Sequence, residues 1–209
     1  MSEVTEIHTT TTTTTAGEQT ETVVTTTTTT TTTTEETTSA LADAMDKFSF
    51  IPEFGGQGIS YWTELQRLYA ASETSTMRAF IETAAQALLE ESSSDEAKTS
   101  VAFEAVIDVH SWLQSLEVGD APAGLALDRV FFSMPLLTLT QCANYLNFLE
   151  TAGVSHESVV KNSTTALGHS QGVVSAVIFS TAKTAQEFVE IGVSVLRYMF
   201  WQGLRAQET

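Results

Sequence analysis

The chain has 209 residues, 42% of them hydrophobic, which is enough for one or two domains with a sizeable core. Its 26 Asp and Glu against 9 Lys and Arg leave a formal net charge of −17, which excludes nucleic acid and anionic membrane surfaces as partners because both require clustered cations. The single cysteine, Cys142, excludes an internal disulfide and reads as a small core residue. With no apolar run of about eighteen residues, the chain reads as soluble and cytoplasmic.

Residues 1–46 carry the threonine runs Thr9 to Thr15 and Thr25 to Thr34, and every charge before Lys47 is acidic. Such a segment cannot offset its chain entropy by burial, so it reads as a disordered tail ahead of a domain over 47–209. Phe48 to Phe54 alternates aromatic and polar residues like a first strand, with Pro52 confining it to an edge or strand end. Helical spacing follows over Tyr61 to Tyr69 and Thr76 to Glu90. Ser92-Ser93-Ser94-Asp95 caps a further helix with the stripe Val101, Phe103, Val106, Ile107, Val109, Trp112 and Leu113. Gly119 to Gly124 is a loop, and Pro135 begins a helix that runs to Leu149 and ends at Gly153. Thr164 to Leu167 reads as a buried strand, and Val173 to Phe179 and Ala185 to Leu204 as two more helices. Few strands, many helices and a strand-turn-helix order predict an α/β fold with helices over a parallel sheet.

Chemistry concentrates in Gly168-His169-Ser170-Gln171-Gly172, which has the pattern of a nucleophile elbow. A serine on a tight strand-to-helix turn needs small neighbours, and the turn leaves the Gln171 N–H unpaired at a helix start, where it can stabilise a developing oxyanion. A glycine-rich turn without chemistry is the alternative. Phe54-Gly55-Gly56-Gln57-Gly58 supplies a second turn, after the first strand, whose Gln57 N–H can be the second donor. No Lys or Ser/Thr at Walker spacing supports a phosphate loop there.

These two motifs, with Glu64 to Tyr69 and Met134-Pro135-Leu136-Leu137-Thr138-Leu139-Thr140-Gln141 between them, resemble the N-terminal acetyltransferase domain of the fungal-type type I fatty acid synthase, in its β-subunit half. The resemblance covers most of Phe48 to Arg205 and implies an acyltransferase fold with an α/β-hydrolase-like core. It implies no bound cofactor and no metal: acetyl-CoA is the substrate, and the acetyl group passes through a serine ester to the phosphopantetheine of an acyl carrier protein. Acyl carrier protein and other synthase domains are the partners so implied. Carried over, Ser170 is the nucleophile, the Gln57 and Gln171 N–H groups form the oxyanion hole, and His169 borders the active site. Malonyl-transferring relatives carry an arginine in an aromatic-Arg-Gly setting, where it pairs with the substrate carboxylate. Here Phe200-Trp201-Gln202-Gly203 puts Gln202 there, and a neutral amide favours an uncharged acyl group.

The family's catalytic histidine follows the serine by a hundred residues or more, whereas His8, His110, His156 and His169 all precede Ser170. His110 reads as a partly buried residue on a helix face and His156 as a helix start. The chain therefore reads as the front part of an acyltransferase domain, slow when isolated. A structural or assembly segment of a fatty acid synthase is the competing reading. An α/β-hydrolase such as a thioesterase or lipase would need an acid and then a histidine after the serine, and only Glu187, Glu190 and Glu208 follow it.

Overall fold

The computed structural model describes residues 6–16, 19–29, 47, 49–57, 61–71, 73 and 75–208. Two strands, β1 (Glu6–Ala16) and β2 (Gln19–Thr29), pair antiparallel from Glu6 opposite Thr29 to Ala16 opposite Gln19. Within this pairing Thr9 to Thr15 and Thr25 to Thr29 lie extended, as β-branched residues favour. The remainder of the expected tail lies outside the described residues, as do Phe48 and Gly58.

The body holds eight helices among the described residues: α1 (Trp62–Ala71), α2 (Thr76–Ser93), α3 (Asp95–Thr99), α4 (Val109–Ser115), α5 (Val130–Ala152), α6 (His156–Asn162), α7 (Gly172–Thr181) and α8 (Ala185–Gln207). None is long and apolar enough to cross a membrane. Two short strands, β3 (Glu53–Phe54) and β4 (Leu167–Gly168), pair in parallel, with Glu53 opposite Leu167 and Phe54 opposite Gly168. An isolated parallel bridge between Phe50 and Ser163 extends that ladder backward. The α/β class stands in this reduced form, helices around a two-stranded parallel sheet. Leu167 is half exposed, so the strand feeding the elbow is not the buried element that its apolar sequence predicts.

Helix α5 organises the body. It is apolar on nearly every face, which is the composition of a helix surrounded by others, and it packs against α8, α2, α1 and α7. Phe131, Phe132, Leu136, Leu139, Cys142 and Ala143 on it are fully buried. Pro135 lies inside this helix, which starts five residues earlier at Val130. Gly153 ends it in the left-handed conformation, at φ 63°, with its N–H on the Glu150 and Leu149 carbonyls. Gly203 lets α8 approach: a Cβ there would stand 2.8 Å from the Val130 carbonyl oxygen.

One expected helix does not form. Residues 101–108 run without helical structure between α3 and α4, and Val101 is 93% exposed. Fully buried Ser92 accounts for the break, because its Oγ donates to Leu88 O at 2.7 Å and accepts from Ile107 N at 2.9 Å, holding the segment off the helical path. Ser94 caps α3 by accepting from Ala97 N, and Asp108 caps α4 by accepting from Ser111 N.

Candidate active site

The elbow forms where β4 passes into α7. Ser170 has φ 52° and is the one non-glycine residue with positive φ among those described. That conformation is disfavoured for a residue bearing a Cβ, and it persists because the surrounding backbone determines it. His169 N donates to Phe54 O at 2.9 Å, Gly172 N to His169 O at 2.9 Å and Val173 N to Ser170 O at 3.2 Å. Both flanking glycines are sterically required. A Cβ on Gly168 would lie 2.3 Å from Val173 N, and one on Gly172 would lie 2.0 Å from Phe54 O.

The parallel pairing of β3 with β4 brings the second glycine-rich turn to the elbow. A Cβ built on Gly56 would stand 2.9 Å from His169 O and 3.0 Å from Ser170 Cβ, so the Gly55-Gly56-Gln57 backbone runs directly beside the serine. Neither the Gln57 N–H nor the Gln171 N–H has an acceptor among the described residues. Ser170 is exposed, and its Oγ has no hydrogen-bond partner among them either.

Helix α5 supports both turns through side chains that the sequence motifs do not reveal. Gln57 Nε2 donates to Ser133 Oγ at 2.6 Å. Buried Gln171 donates through Nε2 to Met134 O and, at 3.1 Å, to Thr138 Oγ1, while its Oε1 is buried without a protein partner. Gln141 Nε2 donates to Gly55 O, and Ser175 Oγ donates to Gln141 Oε1 at 2.6 Å. In the sequence these side chains are spread over Ser133 to Gln141 at mixed spacings, and only the way α5 crosses behind both turns reveals their shared role.

His156 and His110 are placed elsewhere. His156, the first residue of α6, is fully buried among Tyr145, Phe179 and Phe188. Its Nε2 faces Ala182 O at 3.0 Å and its Nδ1 faces Tyr145 Oη at 2.7 Å. A carbonyl can only accept, so Nε2 carries a proton, and Nδ1 pairs with the tyrosine hydroxyl. His110 is exposed rather than partly buried, and its ring meets the Tyr69 ring edge to face at 6.4 Å. His169 is exposed beside Ser170.

Gln202 lies exposed on α8, where its Oε1 accepts from Tyr198 Oη at 3.1 Å; it has no hydrogen bond to the elbow among the described residues. Both arginines near it are paired with carboxylates. Arg197 binds Glu91 at 2.7 Å and Glu90 at 2.6 Å, and Arg205 lies 3.6 Å from Glu96 and 3.2 Å from Glu208. A cavity of about 480 Å³ lies along β3, lined by Phe50 to Gly55, Tyr61, Leu137, Gln141, Tyr145 and Phe148 among others. Ser170 does not line it; the cavity adjoins the elbow through Phe54, Gly55 and Gln141.

Comparison with known proteins identifies the family. A family model described as starter unit:ACP transacylase in aflatoxin biosynthesis matches residues 53–209. The fatty acid synthase subunit beta of Schizosaccharomyces pombe is 30% identical over 157 residues, which is 75% of this chain and 7% of that protein. The fatty acid synthase beta subunit aflB of Emericella nidulans is 27% identical over 174 residues, covering 81% of this chain and 8% of the relative. Fatty acid synthase 2 of Mycosarcoma maydis is 30% identical over 163 residues, or 74% of this chain and 4% of that one. The chain thus spans less than a tenth of the length of each of these relatives. From residue 53 onward, with both glycine-rich turns inside the matched region, the chain belongs to the starter unit:ACP transacylase family.

Proposed function

We propose that this chain contributes the serine half of a starter-unit acyltransferase site in a fatty acid synthase. Ser170 Oγ attacks the thioester carbonyl of an acyl-CoA, forming the ester C–O bond. The tetrahedral intermediate then breaks its C–S bond, and the departing CoA sulfur takes up a proton. A second exchange passes the acyl group to the thiol of a carrier protein's phosphopantetheine, regenerating the serine hydroxyl. The carbonyl oxygen carries the developing charge, and the Gln57 and Gln171 N–H groups are its donors.

The observation that carries this reading is the positive φ of Ser170 where two turns meet whose Gln57 and Gln171 N–H groups have no acceptor among the described residues. A fold that needed these residues only for packing would not require an exposed serine in a disfavoured conformation. His110 and His156 are engaged away from the elbow, and His169 matches the family position that borders the site without being the base, so the serine's proton goes to a base supplied by another part of the synthase, and the isolated chain turns over slowly. Acetyl is the preferred acyl group, because Gln202 provides no cation for a substrate carboxylate.

Incubating the full chain with acetyl-CoA and measuring intact mass tests the proposal. One acetyl group accumulates on the wild type, maps to Ser170 by peptide analysis, and is absent from Ser170→Ala. Equal acetylation of the two proteins would refute the assignment of Ser170.

A further inference from the structure

We propose that Gln141 is a positioning residue that sets the spacing of the two oxyanion turns; this rests on the serine-acyltransferase reading above. Two other side-chain links each tie one turn to α5, Gln57 to Ser133 and Gln171 to Met134 and Thr138. The Gln141 amide instead bonds both sides of the site at once. Its Nε2 holds the Gly55 carbonyl, one residue before the glycine packed on Ser170. Its Oε1 accepts from Ser175, fully buried on α7 one turn beyond the elbow.

The amide can sit only one way round. The Gly55 carbonyl is an acceptor without a proton, so the NH₂ group must face it. Reversing the amide would set two carbonyl oxygens against each other and leave the buried Ser175 hydroxyl facing an NH₂ group. The ladder bonds to β4 and its flanks use the carbonyls of Phe50, Pro52 and Phe54, so Gly55 O is free for Gln141. The strand pairing therefore stops one residue short of the catalytic turn, and a single side-chain amide continues the register from there.

The functional consequence follows from geometry. An oxyanion must meet both N–H donors at about 2.7–3.1 Å at the same moment, so the separation of the two turns is the quantity that matters. Removing the link leaves the turns joined through the β3–β4 pairing, which ends at Phe54, and frees the segment beyond it, Gly55 to Gln57, to shift relative to Ser170. A misplacement of about 1 Å can cost a hundredfold in rate without altering the reacting groups.

The test uses the full-length chain and a fluorophosphonate probe, in which Ser170 Oγ bonds to phosphorus, fluoride leaves with the serine proton, and the phosphoryl oxygen occupies the oxyanion hole. The maximal labelling rate and the half-saturating probe concentration are read separately. Gln141→Met, close in shape, lowers the maximal rate about 10- to 100-fold and changes half-saturation less than about twofold. Gln141→Glu keeps the acceptor for Ser175 but opposes the Gly55 carbonyl, so it is equally slow. Ser175→Ala is slowed only a few fold, and adding it to Gln141→Met produces no further loss, because the two residues act through one link.

Wild-type rates in folded Gln141→Met or Gln141→Glu would overturn the proposal and leave the serine assignment standing. Unchanged labelling in Ser170→Ala would overturn the underlying reading instead. If Gln141→Met does not fold, Gln141→Glu decides the matter: a wild-type maximal rate in it refutes the link. A loss expressed as a raised half-saturating concentration with an unchanged maximal rate also refutes it, since that is a binding defect and not a misplaced donor.

Discussion

The α-carbon of Gly172 lies against the carbonyl oxygen of Phe54, so close that a Cβ would stand 2.0 Å from it. That contact joins the end of the first strand to the start of the elbow helix, and both neighbours are backbone, which cannot rotate aside.

Gly172→Ala is accordingly expected to destabilise the domain by about 3 kcal/mol or more. Urea denaturation followed by circular dichroism measures it. Gly119→Ala is the comparison, because no atom lies within 4 Å of a Cβ there and its cost comes only from φ 105°.

Cys142 is fully buried, and burial pushes its thiol up to about 12. Burial thus disfavours the thiolate, which is the reactive form. Iodoacetamide should leave the native chain unmodified over hours and label Cys142 fully in guanidinium. Rapid labelling of the native protein would show that α5 opens readily.

The buried imidazole of His156 satisfies both Tyr145 Oη and Ala182 O. His156→Leu strands both groups, at a cost of about 2–4 kcal/mol. Because the ring is part of the core and not of the elbow, folded protein of this variant should react with a fluorophosphonate at the wild-type rate. A strong loss of labelling at retained fold would identify His156 as the serine's base.

Glu90 is held below the ordinary carboxylate range, first by its hydrogen bond from Arg197 and then by one from Gln86. A depressed folded-state pKa contributes stability that is present above the unfolded value, 4.5, and is lost as pH falls through the folded one. Arg197→Met should therefore lower the melting temperature at neutral pH and reduce its fall below about pH 4.5. Parallel acid limbs for the two proteins would show that the ion pair contributes nothing measurable, the common outcome for exposed pairs.

If Gln202 sets acyl selectivity, Gln202→Arg should increase acylation of Ser170 by malonyl-CoA relative to acetyl-CoA. An unchanged ratio would remove Gln202 from the site and with it the stated reason for an acetyl preference.

The sequence by itself determined the elements whose signal is local. Periodic apolar residues placed α1, α2, α7 and α8 nearly at their observed limits, Gly153 marked the end of α5, and two glycine-rich motifs marked the turns. Local signals fail where a distant group competes. A helix over 101–113 satisfies its own periodicity, but Ser92 captures Ile107 N, which no reading of that stretch reveals. The site was legible as parts and not as an assembly. That Gly56 abuts Ser170, that His156 belongs to the core, and that Gln141 joins the two turns all depend on residues far apart in the chain. Those relationships arise when α5 is enclosed by its neighbours, because only then does each buried polar group have to find a partner across the fold.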